Sequence, residues 1–206
     1  MGYFYPMTNM WDQRFGEQGY AYGDKGNAFM ADCLRQLKTG KALFPAEGEG
    51  RNAVHAAAAG WEAVAYDPSV EGKKKALMLC ERHDVTLDYH LAGHQDFTER
   101  ESSFDLLVLV FAHVPVEMRR PLHQKLWRLV KPGGHLILEG FSKDQLGLSS
   151  GGPKELSMLF EKSEVQNDFS SVQWLVAEEG PIELDEGKYH QGLAHTLRLF
   201  GTKEAE

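Results

Sequence analysis

The stretch Lys41-Ala42-Leu43-Phe44-Pro45-Ala46-Glu47-Gly48-Glu49-Gly50-Arg51-Asn52 runs a short apolar segment into a Gly-x-Gly turn. The turn opens into Ala53-Val54-His55-Ala56-Ala57-Ala58-Ala59, a run of strong helix formers that Gly60 stops. Trp61-Glu62-Ala63-Val64-Ala65-Tyr66-Asp67-Pro68 then has the pattern of a second strand ending in a carboxylate. Glycine lets the backbone come close to a ligand, and a helix N-terminus offers unpaired N–H groups. An acid at the end of the second strand is placed to accept from two ribose hydroxyls. Strand, glycine turn, helix, strand and acid in this order predict a site for a nucleoside-bearing ligand.

A dinucleotide site wants a third glycine in G-x-G-x-x-G. Here Gly50 is followed by Arg51 and Asn52, and no Gly-Lys-Ser/Thr completes a P-loop. A bulky Arg-Asn pair at the turn speaks against a pyrophosphate packed there.

The flanks make the pattern specific. In chain order they are Trp11-Asp12-x-Arg14-Phe15 with Tyr20-x-Tyr22-Gly23, Glu47-Gly48-Glu49-Gly50-Arg51-Asn52, Tyr66-Asp67, Asp96-Phe97, Lys131-Pro132-Gly133-Gly134, Gly151-Gly152-Pro153 and Glu186-Gly187-x-x-His190-x-Gly192. With these pieces, which span nearly the whole chain, the sequence resembles the class I S-adenosylmethionine-dependent methyltransferases. Within that class it resembles the small enzymes grouped with the tellurite-resistance and thiopurine methyltransferases. The resemblance implies an α/β fold, the class I methyltransferase (Rossmann-like) three-layer sandwich. Its sheet would be mostly parallel and seven-stranded, with an antiparallel last strand. Residues 1–206 would form a single domain, in which 1–40 are an N-terminal segment covering the cofactor pocket.

The cofactor implied is S-adenosylmethionine. Gly48 and Gly50 are assigned to close backbone approach, Asp67 to the ribose, and Asp96 with Phe97 to the adenine. Arg14 and Tyr22 fall to the methionine carboxylate, where a positive charge is chemically sensible. The class's usual carboxylate at the end of strand one falls here on Phe44, followed by Pro45. Glu47 is therefore a candidate for the cofactor ammonium or for ordering the loop. Arg51 is a candidate to pair with Glu47 or Glu49, or to reach the cofactor carboxylate.

On the acceptor side, His113 ends the apolar run Phe104 to Val110, where doubly wound sheets bind ligands. It is either a catalytic group aimed at the methyl or a hydrogen-bonded residue fixing the loop before Pro115. His190 is a candidate for the same mouth, and Glu139 for a base or a supporting partner. His195 reads as structural, and Gln145 with Gly151-Gly152-Pro153 as walls of the acceptor pocket. Direct displacement at a sulfonium depends chiefly on positioning. A soft acceptor such as a thiolate needs no base, whereas an amine or hydroxyl can call for one. The three histidines are not spaced as metal ligands, so no metal is expected.

The chain of 206 residues is long enough for one domain with a real core, and its formal charge is −8. Such a surface repels nucleic acid and anionic lipid, so the expected partner is a small-molecule acceptor, with no nucleic acid and no membrane. Lys73-Lys74-Lys75 and Arg119-Arg120 read as solvated helix faces. Cys33 and Cys80 lack ligand-spaced partners. No signal peptide opens the chain, and the run from Leu106 to Val114 is too short to span a bilayer. A cytoplasmic protein is expected, monomeric by default with a homodimer open.

Along the chain, residues 1–24 are aromatic with little periodicity, and Tyr3, Phe4, Tyr5, Trp11, Phe15, Tyr20 and Tyr22 are too costly to leave in water. Helical periods cover 29–37 and 51–59, a helix opens with Pro68 at its first position and runs through 79, and others cover 115–130 and 153–164. Strands are expected at 42–46, 62–66, 85–89, 104–110, 135–139, 172–177 and 192–200, with a turn at 131–134 and an acidic loop at 183–192. Two other functions compete. A nicotinamide oxidoreductase is opposed by the missing glycine and by Asp96-Phe97. A catalytically silent S-adenosylmethionine sensor or interaction protein would show a blocked acceptor pocket.

Overall fold

The computed structural model describes the backbone of residues 4–205 and the side chains of residues 10–205. The ends of the 1–206 domain and the expected packing of Tyr3, Phe4 and Tyr5 lie outside that description. Helices α1 (Phe4–Phe15) and α2 (Ala28–Leu34) precede β1 (Lys41–Pro45), α3 (Arg51–Ala58), β2 (Glu62–Asp67) and α4 (Val70–His83). Then follow β3 (Asp88–Leu91), β4 (Phe104–Val110), α5 (Val116–Leu129), β5 (Val130–Phe141), α6 (Lys162–Gln166), β6 (Val172–Asp185) and β7 (Gln191–Lys203).

One seven-stranded sheet has the order β3-β2-β1-β4-β5-β7-β6. The first five strands in that order are parallel, and β7 is antiparallel to both β5 and β6. Because strand side chains alternate faces, β1 and β4 feed two cores. Leu43, Leu107 and Leu109 pack with Leu126 and Trp127 of α5 on one face. Ala42, Phe44, Leu106 and Val108 pack with Met30 of α2 and with Ala53 and Ala56 of α3 on the other. Both faces are covered, which is why these strands are continuously apolar. The order reverses between β1 and β4, and that switch point sets the ligand cleft at their C-terminal ends. No described helix is long and apolar enough to cross a membrane.

Several element boundaries differ from expectation for identifiable reasons. The N-terminal stretch is helical as α1, and α2 ends at Leu34. Pro68 stands before the cap of α4, because the Ser69 side chain accepts from the Gly72 N–H. Asp84, at φ 53°, closes that helix, and Val85 N bonds back to the Cys80 carbonyl, so β3 begins only at Asp88. The 131–134 turn is absorbed into β5, with a register shift opposite Phe104 and Leu106. The single helix expected over 153–164 is replaced by a short 3-10 turn at Leu156–Met158 and by α6. Phe160 breaks it by exchanging backbone bonds with Phe141 and Lys143. The supposed acidic loop is mostly hairpin, since β6 and β7 stay paired out to Asp185 and Gln191.

Candidate active site

The chain leaves β1 through Ala46 at φ 52°, and both Gly48 (φ 57°) and Gly50 (φ 85°) are left-handed. A Cβ on Gly50 would stand 2.5 Å from the Ala76 Cβ, so glycine lets α3 dock against α4. Gly50 caps α3 without a side chain. Glu47 supplies the missing acceptor: its Oε1 takes the N–H groups of Asn52 at 2.8 Å and Ala53 at 2.7 Å. The structure thus uses Glu47 to order the loop, and burial pushes its carboxyl up to about 7 against those hydrogen bonds.

Asp67, at the end of β2, accepts from Gly48 N at 3.2 Å and Ser69 N at 2.8 Å. Burial raises its carboxyl to about 6, opposed by those two N–H groups. A carboxylate has about four lone-pair sites, so Asp67 keeps acceptor capacity for a diol beyond the two backbone bonds. The left-handed glycines and this carboxylate beside the N-terminus of α3 fit the nucleoside part of S-adenosylmethionine. Asp96 and Phe97 lie on the turn after β3, which Ala92 N ties to the Asp67 carbonyl at 3.2 Å. Asp96 is exposed, whereas the Phe97 ring is buried and stacked on Tyr66 at 4.3 Å.

The N-terminal segment crosses this turn through charged and polar contacts. Ala21 N donates to Glu49 Oε2 at 2.7 Å, while Lys75 pairs with Glu49 Oε1 at 2.8 Å. Asn27 N donates to Asn52 Oδ1 at 2.9 Å. Arg51 reaches neither Glu47 nor Glu49; it donates to the Tyr22 carbonyl at 3.2 Å and to Glu186 at 2.9 Å. Arg14 donates to the Tyr22 hydroxyl at 2.8 Å and lies 4.5 Å over the Tyr189 ring. A Cβ on Gly187 would sit 2.3 Å from Gly23 N, so the hairpin tip and the crossing segment meet backbone to backbone. Sequence reasoning named Arg14, Tyr22 and Arg51 but passed over Asn27 and the roles of Glu49 and Glu186; the quoted motifs contained Glu49 and Glu186 without indicating their partners.

Of the catalytic candidates, His190 lines an open cavity. His113 Nδ1–H donates to the Met158 carbonyl at 2.8 Å, and its Nε2 accepts from Phe141 N at 2.9 Å. Burial holds this ring neutral, its value pushed down to about 4. With both nitrogens engaged by backbone, His113 takes the loop-fixing role. Glu139 is 0% exposed and does not face the cavity. Its oxygens accept from Arg198 Nε and from Asn27 Nδ2, each at 2.7 Å, so it joins β5 and β7 to the N-terminal segment as a supporting partner.

His190 is buried among Tyr22 (4.5 Å), Phe111 (4.5 Å) and Phe141 (5.2 Å). Its Nδ1 faces Glu186 at 3.5 Å, and burial lowers its value against the pull of that carboxylate. A cavity of about 280 Å³ opens here, with Arg14, Tyr22, Gly151, Gly152 and His190 in its wall. Gln145 shapes the wall by donating to Ser150 Oγ at 2.9 Å and the Gly151 carbonyl at 3.1 Å. His195 is structural, with Nδ1 2.7 Å from Ser142 Oγ.

The sequence of residues 45–134 matches the methyltransferase domain family. No curated protein matches the chain. Among solved structures, the fold is similar to that of a protein studied for conversion of a disulfide bond into a thioacetal group in echinomycin biosynthesis. The TM-score is 0.76 at 16% identity, over 96% of this chain and 92% of that one. TehB from Haemophilus influenzae aligns with a TM-score of 0.72 at 16% identity, over 86% of this chain and 62% of its own. The N-methyltransferase NodS from Bradyrhizobium japonicum, in complex with S-adenosyl-L-homocysteine, aligns at 0.65 with 12% identity, over 95% and 97%. Residues 45–134 thus match a methyltransferase domain, and the whole chain has the class I methyltransferase fold.

Proposed function

We propose that the protein methylates a small-molecule acceptor through a soft nucleophile, a thiol or another chalcogen. The observation that carries this reading is the cavity of about 280 Å³ that brings Arg14, Tyr22 and His190 together. Its volume lies near the lower end of small-molecule sites. When bound, S-adenosylmethionine supplies a methyl group on a sulfonium, which a nucleophile takes by direct displacement. In this reading Gly48, Gly50 and Asp67 hold the nucleoside, with Asp96 and Phe97 beside the adenine. Arg14 and Tyr22 hold the methionine end, with Glu47 and Arg51 shaping the turn beneath it. The segment through residue 40 covers the pocket.

His190 is the one group in the wall suited to receive a proton. Glu186 beside Nδ1 favours the tautomer that leaves the Nε2 lone pair free. A buried neutral imidazole is a weak base, matched to a thiol and poorly matched to an alcohol. His113 and Glu139 support the walls. The open cavity favours an enzyme over a silent sensor, for which a blocked acceptor pocket is expected. We place the protein in the cytoplasm as a monomer.

Isothermal titration with S-adenosylmethionine and S-adenosylhomocysteine, beside an Asp67→Ala variant shown to be folded, tests the cofactor assignments. A thiol methylation assay with His190→Ala tests the acceptor reading. Micromolar binding lost in Asp67→Ala, and thiol turnover lost in His190→Ala with cofactor binding retained, are the expected results. Cofactor binding without turnover of any thiol would favour the silent sensor.

A further inference from the structure

The charge around the cavity mouth runs against the charge of the chain. The protein carries 30 acidic and 22 Lys or Arg side chains, yet the cavity wall holds Arg14, Lys154 and Lys188 and no Asp or Glu. The two lysines stand on different elements: Lys154 follows the Gly151-Gly152-Pro153 turn, and Lys188 is on the tip between β6 and β7. Lys188 is balanced by Glu17 at 2.7 Å. Lys154 is exposed and makes no ion pair among the described residues. Arg14 also makes none; its guanidinium is held by the Tyr22 hydroxyl and the Trp11 and Tyr189 rings.

The lysine-bearing turn is built, and its backbone has little freedom. Gly151 has φ 116° and Gly152 φ 87°, and Cβ atoms there would stand 2.7 Å from the His190 ring and the Phe141 ring. The turn that carries Lys154 is therefore seated on the ring that faces the acceptor. A cluster of one sign at a cleft concentrates ligands of the opposite sign.

We infer that the acceptor is an organic anion. Its carboxylate or phosphate group is held at the mouth by Lys154 and Lys188, and its nucleophilic atom points inward toward His190. This rests on the reading of the cavity as the acceptor site. Arg14, deeper in the same wall, stays with the methionine end.

The test is a titration of the S-adenosylhomocysteine-saturated protein with 3-mercaptopropionate and with its neutral counterpart 3-mercaptopropan-1-ol. The acid is expected to bind about tenfold more tightly, and the preference to shrink as ionic strength rises. Lys154→Glu should abolish the preference, Lys154→Arg should keep it, and the alcohol should be indifferent to both. Equal affinities, no measurable binding of the acid, or Lys154 variants that shift both ligands alike would overturn the inference while cofactor binding stands. Failure of S-adenosylhomocysteine to bind would overturn the cofactor reading and this inference with it.

Discussion

Arg51 and Glu186 are 135 positions apart in sequence and 2.9 Å apart in space, their side chains 9% and 14% exposed. The pair ties the first residue of α3, just past the glycine turn, to the tip of the last hairpin. Glu186 also accepts from Asn27 at 3.0 Å and faces His190 at 3.5 Å. One carboxylate therefore joins the start of α3, the crossing segment and the His190 wall of the cavity. Arg51 and His190 hold it well below the usual carboxylate range, at about 2, despite burial.

Removing one member of such a pair leaves the other buried without its charge partner. Arg51→Met is expected to cost about 2–4 kcal/mol. Urea unfolding should show a lower midpoint with an unchanged slope. Arg51→Met combined with Glu186→Leu should recover part of the loss, because the isolated carboxylate is then gone.

His113 sets an acid limit on stability. Its folded value is about 4 against an ordinary 6.5, so the unfolded chain binds the proton first as pH falls. The contribution of the neutral ring is full above 6.5 and is lost progressively between 6.5 and about 4. That gap corresponds to at most roughly 3 kcal/mol. His94, also pushed down to about 4, acts in the same window. His113→Gln should be less stable at pH 7 and should flatten, not abolish, the fall in melting temperature between pH 6.5 and 4.

At Gly50 both backbone and space forbid a side chain. The φ of 85° disfavours any L residue, and a Cβ would collide with Ala76 at 2.5 Å. Gly50→Ala should destabilise by about 2–4 kcal/mol and weaken cofactor binding at least about tenfold. Gly50→Ala with Ala76→Gly should restore part of the stability, since the Cβ–Cβ collision is relieved while the 2.9 Å approach to the Ala76 Cα and the backbone strain are not.

Gly151→Ala separates acceptor chemistry from cofactor binding. Its Cβ would lie 2.7 Å from both His190 Cδ2 and the Tyr189 carbonyl oxygen. The methyl must displace the histidine or the turn, at about 1–3 kcal/mol. Acceptor turnover should fall at least about tenfold, with S-adenosylhomocysteine affinity held within about twofold.

The parallel part of the sheet, the glycine turn and the acid at the end of β2 were legible in the amino-acid order. Each is a local signal: β1, β2 and β4 are apolar runs, and Gly48, Gly50 and Asp67 sit at fixed offsets from them. The same local rules fell short at β6, expected to end at 177 but extending to Asp185. Its outer half has exposed acidic residues and a proline, and pairing with β7 holds it extended. His113, Glu139 and His190 all looked available as isolated letters. Tertiary structure separated them, because burial and hydrogen-bond capacity depend on distant partners. Phe141 and Met158 occupy both nitrogens of His113; Arg198 and Asn27 occupy Glu139. His190 alone was left facing the cavity, with Glu186 at its back. A hydrogen bond between residues more than a hundred positions apart leaves no period in the sequence, and only the folded chain decides which side chain has its lone pair free.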